Sequence, residues 1–131
     1  MCAFETKPLG AAPDAIAPDG TAVRVLAALS AASFAHFELP AGAVSHAIVH
    51  RTVEEIWYFV AGRGELWRRS GEQEDLVAVG AGVCVTIPLG TRFQFRAAAG
   101  APLAFVAVTM PPWPGDGEAE VVEGKWRPTV G

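Results

Sequence analysis

His50 and Glu55 are the residues best placed to do chemistry in this chain. An imidazole beside a carboxylate can share a proton, hold a metal ion, or divide acid and base roles. His46 stands on the same strand face as residues 48 and 50 if that stretch is extended. His36 belongs to the preceding strand, and its facing is not fixed by the sequence. Cys84 lies in Val83-Cys84-Val85 with no basic neighbour in sequence, which reads as a buried small apolar side chain. With Cys2 the only other cysteine, no disulfide framework is expected. No Gly-x-Ser-x-Gly elbow, phosphate loop or dinucleotide fingerprint occurs, and Gly62-Arg63-Gly64 reads as a hairpin turn.

Short extended segments must position these groups. Strand-like stretches fall at 21–29, 32–39, 43–50, 54–60, 65–69, 76–79, 83–87, 92–97 and 103–110. The polar run Ser70 to Asp75 reads as a solvated hairpin tip. In the segment Glu54 to Val60, alternation that turns Glu55 inward turns Trp57 and Phe59 inward too. Phe93 and Phe95 share a face in the same way, leaving Arg92, Gln94 and Arg96 opposite as surface or interface groups. His46, Ile48, His50, Glu55, Trp57, Phe59, Phe93 and Phe95 then line an apolar pocket with a few polar groups. Equally, the aromatics can be packed core and His50–Glu55 a structural hydrogen bond.

The chain has 131 residues, 51% of them apolar and 18% charged, so a single folded domain is expected. Net charge is −4 and no basic cluster exceeds Arg68-Arg69, which argues against a nucleic-acid groove or an anionic membrane patch. No secretory leader and no apolar run of about 20 residues is present, so a cytoplasmic protein is expected. Residues 1–20, with Pro8, Pro13 and Pro18, read as an arm. Residues 111–131 read as a tail that Trp113 and Trp126 pin to the barrel or to a second subunit.

Two spaced motifs resemble the cupin superfamily. Gly42, Ile48, His50, Glu55 and Gly62 fall on its first motif, and Gly82, Pro88, Gly90, Phe93 and Ala97 on its second. The resemblance implies an all-β double-stranded β-helix, or jelly-roll barrel, over 21–110, and a homodimer with exchanged edge strands and arms. The family's metal site takes two His from one strand, a Glu from the next and a His from the second motif. This chain keeps His50 and Glu55 but has Ile48 and Phe93 in the other places. His46 would sit about 13 Å along the strand from His50, poorly placed to share one ion. The expectation is therefore a barrel that binds a small organic ligand without a tightly held, complete metal site. The alternative is a metal-dependent oxygenase or isomerase on a small organic acid or sugar. There His50 and Glu55, helped by His46 or His36, would hold iron, manganese, nickel or zinc. A third reading is metal-free acid–base catalysis by Glu55 and His50, which makes these two the catalytic candidates.

Overall fold

Period-two patterning governs the architecture. In the computed structural model, which describes residues 4–130, the segment Glu54–Ala61 alternates strictly between exposed and buried side chains up to Val60. Eleven strands form among the described residues. They are β1 (Ala15–Ile16), β2 (Ala22–Ala28), β3 (Ser33–Leu39), β4 (Ala47–His50), β5 (Glu54–Ala61) and β6 (Arg63–Ser70), then β7 (Gln73–Gly80), β8 (Cys84–Ile87), β9 (Arg92–Ala97), β10 (Leu103–Met110) and β11 (Ala119–Val122). A six-stranded sheet runs β1-β2-β3-β10-β5-β8, and a five-stranded sheet runs β11-β4-β9-β6-β7. Every pairing between these strands is antiparallel. This is the expected all-β double-stranded β-helix.

The space between the sheets is filled by rings. Trp57 stacks on Phe105 at 4.1 Å and meets Phe93 and Phe95 edge-on at 5.2 and 5.3 Å. Phe59 lies 5.2 Å from Phe105. Leu39, Leu66, Ile87 and Leu103 close the ends of the cluster. The motif glycines sit at corners with positive φ. Gly62 shows why: a Cβ there would lie 2.1 Å from the Pro102 carbonyl oxygen, so the corner has no room for a side chain.

Several expectations fail for identifiable reasons. The tip of the β6–β7 hairpin shrinks to Gly71-Glu72, because both strands continue through the polar run. The charged residues there are held: Arg68 grips Asp75, and the Trp67 indole N–H donates to Glu74 at 2.7 Å. Cys84 is exposed rather than buried, since Val85 and Ile87 take the inward positions of β8. Cys2 lies outside the described residues. Gln94 is fully buried on the outer face of its sheet, because the tail crosses above it. Its amide nitrogen donates to the Ser45 and Trp126 carbonyls at 2.8 Å each, and its oxygen accepts from the Trp126 N–H at 2.9 Å.

That amide fastens the tail. Gln94→Leu leaves three backbone groups without partners and is expected to cost about 2–4 kcal/mol. Urea unfolding would measure the loss, and amide exchange at Trp126 should accelerate before global unfolding does.

Candidate functional site

β4 and β5 face one another across the barrel's open end and carry His50 and Glu55 inward, each about 5% exposed. A carboxylate so buried requires partners, and Glu55 has three. His50 Nε2 lies 3.2 Å from Oε1, the Trp57 indole N–H donates to the same oxygen at 3.0 Å, and the Thr109 hydroxyl donates to Oε2 at 2.6 Å. Burial pushes the Glu55 carboxyl up, but the His50 hydrogen bond and charge, with the Thr109 and Trp57 bonds, outweigh it and hold it below its ordinary value. Glu55 is therefore an anion and accepts only, which makes His50 Nε2 the protonated ring nitrogen. His50 Nδ1 is left buried with no partner.

The surroundings of the pair come from distant segments. Phe93 packs 5.4 Å from the His50 ring, and Trp113 meets it edge-on at 5.5 Å. Glu118 accepts from the Thr52 and Val53 N–H groups and from the Thr52 hydroxyl, clamping the link between β4 and β5. Burial raises the Glu118 carboxyl, and these bonds together with the His50 charge bring it below its usual value. Asp19 is also buried, and burial raises its pKa against the opposing Thr21 bonds, with the Glu55 charge adding to the rise.

A cavity of about 200 Å3 opens between the β6–β7 hairpin and the β8–β9 turn; His50 and Glu55 do not line it, and Thr91 is the wall residue nearest to the pair in register. Its walls include Arg68, Ser70, Asp75, Thr86, Pro88 and Thr91. The inward row starts at His50, and extending the β4–β9 and β6–β9 registers by one residue sets Thr91 between His50 and Ser70. The Thr91 hydroxyl is buried and, like His50 Nδ1, has no partner. Arg68 is fixed by a two-pronged contact to Asp75 at 3.1 and 2.9 Å and by a 2.9 Å bond to the Thr86 carbonyl.

The expected pocket residues divide. His50 and Glu55 meet, but Ile48, Trp57, Phe59, Phe93 and Phe95 are at most 2% exposed and fill the barrel rather than lining a cavity. Their rings satisfy one another, so the inward aromatics close the interior. His36 lies on the outward face of its sheet, registered with Val106 and Arg24, away from the inward Glu55. His46 precedes β4, where its backbone N–H donates to the Asp19 carbonyl at 2.9 Å. No group of three His, Cys, Asp or Glu arranged to hold a metal ion exists among the described residues. The donor set thus does not fit the family's metal: two ligand places are apolar, and Glu55 is occupied by three donors. Arg68, Asp75, Thr91, Thr109, Trp113 and Glu118 were not legible as site residues. Of these, only the polar hairpin and the aromatic tail left a trace in the sequence.

Residues 35–109, more than half of the chain, match the family model described as cupin domain. No curated protein matches in sequence. Among solved structures, a Streptomyces PAC13 variant with uridine is 18% identical, each chain covering 80% of the other, with a TM-score of 0.64. PAC13 is described as a nucleoside dehydratase. A conserved double-stranded β-helix protein from Klebsiella pneumoniae is 17% identical over 79% of this chain and 85% of that one, with a TM-score of 0.65. KdgF from Halomonas sp. is 17% identical over 72% and 82%, with a TM-score of 0.63. At these identities the likeness shows the fold.

The Glu55 hub makes stability depend on pH. Its folded pKa lies below the unfolded 4.5, so its contribution is complete above 4.5 and disappears as pH falls through the folded value. Glu118 acts in the same direction, whereas Asp19, raised above 3.8, favours the fold when protonated. Glu55→Gln is expected to lower unfolding free energy by about 3 kcal/mol at neutral pH. Urea titrations at neutral pH and at about pH 4 should show the variant losing less on acidification than the parent.

Proposed function

The chain belongs to the cupin domain family, and from that premise we propose that it binds a small hydroxylated organic molecule at the open end of its barrel, against His50, Thr91 and Arg68. The observation that carries this reading is the unpartnered Nδ1 of His50. In the neutral ring, with Nε2–H committed to the Glu55 anion, Nδ1 presents a lone pair in a fixed orientation. A buried acceptor without a partner costs about 1–3 kcal/mol, and a ligand hydroxyl donating to it recovers that. The Thr91 hydroxyl, also unpartnered and next in the inward row, supplies a second contact. Arg68 and Asp75 add donor and acceptor edges in the same cavity. Its volume of about 200 Å3 limits the bound part to roughly one ring. The uridine held by the Streptomyces neighbour is a molecule of this kind.

A second reading follows from the same pair. His50 Nδ1 can take a proton from the bound molecule, and Glu55, already an anion against Nε2, stabilises the imidazolium so formed. The metal-dependent reading draws no such support, since the ligand places at 48 and 93 are apolar and buried.

Uridine is the first probe. On its addition, the Nδ1 nitrogen resonance of His50 is expected to move, and Thr91→Val should weaken binding about fivefold. His50→Phe should abolish binding while leaving the fold intact by circular dichroism. Ring resonances unmoved by uridine and by free ribose would refute the assignment. If the protein also turns over its ligand, Glu55→Gln should lower kcat far more than it raises KM.

A further inference from the structure

One row of side chains on the outer face of the five-stranded sheet is charged in an order that works against itself. Register sets Glu120, Val49, Arg92, Arg69 and Glu74 side by side on β11, β4, β9, β6 and β7. Arg92 and Arg69 point outward, because their neighbours Phe93 and Arg68 are registered together on the inward face. The two arginines therefore stand directly opposite one another, with Cβ atoms about 5 Å apart. Like charges so placed repel, and an acid between them would be the ordinary remedy. The two acids of the row sit at its ends and are engaged elsewhere. Glu120 pairs with Arg51 at 3.5 Å, and Glu74 accepts the Trp67 indole N–H at 2.7 Å.

Arg24, Arg51, Arg68 and Arg96 each hold a carboxylate, whereas Arg69 and Arg92 hold none among the described residues. Arg69 commits only Nε, to the Gly71 carbonyl at 3.2 Å, and Arg92 makes no hydrogen bond or ion pair with any described residue. Both line a groove of about 560 Å3, with the nearly buried Trp67 at its side and Glu123 and Gly124 of the tail as its far wall. That wall is fixed: a Cβ on Gly124 would lie 2.5 Å from both the Ala47 Cβ and Gln94 Oε1, so the tail lies flush on the sheet one row behind Arg92. Gly71 and Gly90 leave the ends of the groove open, since nothing stands within 4 Å of where their Cβ atoms would be.

We infer that this groove is a binding site for a small phosphate monoester, its dianionic head seated between Arg69 and Arg92. Each guanidinium offers a planar fork of N–H donors, and a tetrahedral phosphate has oxygens enough to accept a fork from either side. A lone carboxylate presents two oxygens, which a single fork satisfies. Between the arginines, the dianion replaces one repulsion with two attractions. Glu123 opposes a second anionic group at the tail wall and is free to accept a hydroxyl from the organic part of the ester, for which the groove has room. Two cations in one groove of a chain with net charge −4 suit a small anion rather than the extended backbone of a nucleic acid. Arg69 also borders the cavity beside Arg68, but Arg92 and Glu123 lie outside it, so this site is distinct from the one placed at His50.

Inorganic phosphate is the probe, titrated into the full chain at low ionic strength and followed by its phosphorus resonance. The parent should bind it saturably, with a Kd on the order of 1 mM. Arg69→Met and Arg92→Met should each weaken binding about tenfold, and Glu123→Gln should tighten it about twofold. Arg63→Met, six residues along β6 on the same face, should change it by less than about twofold. In phosphate-free buffer Arg92→Met should melt no lower than the parent, because it relieves the repulsion. Added phosphate should then raise the melting temperature of the parent more than that of the variant, the general salting effect being common to both. His50→Phe should leave phosphate binding unchanged, which keeps this site's test apart from that of the uridine site. The inference is overturned by a parent that binds no phosphate saturably, by binding that survives both arginine variants, or by an equal loss in Arg63→Met. Loss of phosphate binding in His50→Phe, or an Arg92→Met chain that melts below the parent without phosphate, would overturn it as well.

Discussion

A carboxylate inside an aromatic barrel is the constraint to which the rest of the open end answers. Removing Glu55 from water carries a penalty of several kcal/mol unless its oxygens are hydrogen-bonded. Three donors meet that demand from three strands or segments: His50 at the end of β4, Trp57 two residues along β5, and Thr109 on β10. Because Trp57 gives its N–H to Glu55, its ring plane is fixed where Phe93, Phe95 and Phe105 can pack around it. Core and site are therefore one network, and the orientation of the central ring is set by an ionised group.

The same network explains why the expected interior pocket is absent and where chemistry has room instead. Phe93 stands in the place of a metal-binding histidine in the family pattern, and it presses on both His50 and Trp57. With Ile48 on the neighbouring strand, it turns a coordination sphere into packing. Glu55 then takes donors where it would otherwise take an ion. Two groups still lack partners, His50 Nδ1 and the Thr91 hydroxyl, both buried, and of the two residues Thr91 lines the open cavity. Closing the centre of the barrel thus moves the available hydrogen-bonding sites outward to its rim.

Much of the fold was legible because strands and corners are local. The alternation through Glu55, Trp57 and Phe59 is visible in eight residues, and Gly62 and Gly90 mark corners that admit only a positive φ. The pairing of His50 with Glu55 was also readable, since one short link joins the two strands that carry them. What could not be read depended on contacts far apart in sequence. Gln94 looks like a surface residue until the tail, some 32 residues later, covers it. Arg68 becomes part of a cavity only through Asp75 across a hairpin and the Thr86 carbonyl from another strand. Cys84 was misplaced because a run of three small apolar residues shows no alternation to read.

The tail ties these elements together, since one segment touches the site, the link beside it and the outer sheet face. Glu118 clamps the turn between His50 and Glu55, β11 pairs with β4 from Ala119 at His50 outward, and Trp126 is locked to Gln94. Trp113 has a lighter hold: its N–H bonds to the Ser33 hydroxyl at 3.0 Å, and its indole leans on His50 while 39% exposed. The residues between Met110 and Glu118 are thus the least fastened stretch of the tail. A molecule approaching His50 from that side meets an exposed indole, whereas everything that orients His50 is anchored beyond it. Access to the imidazole and its positioning are therefore separable, because different parts of the same tail govern them.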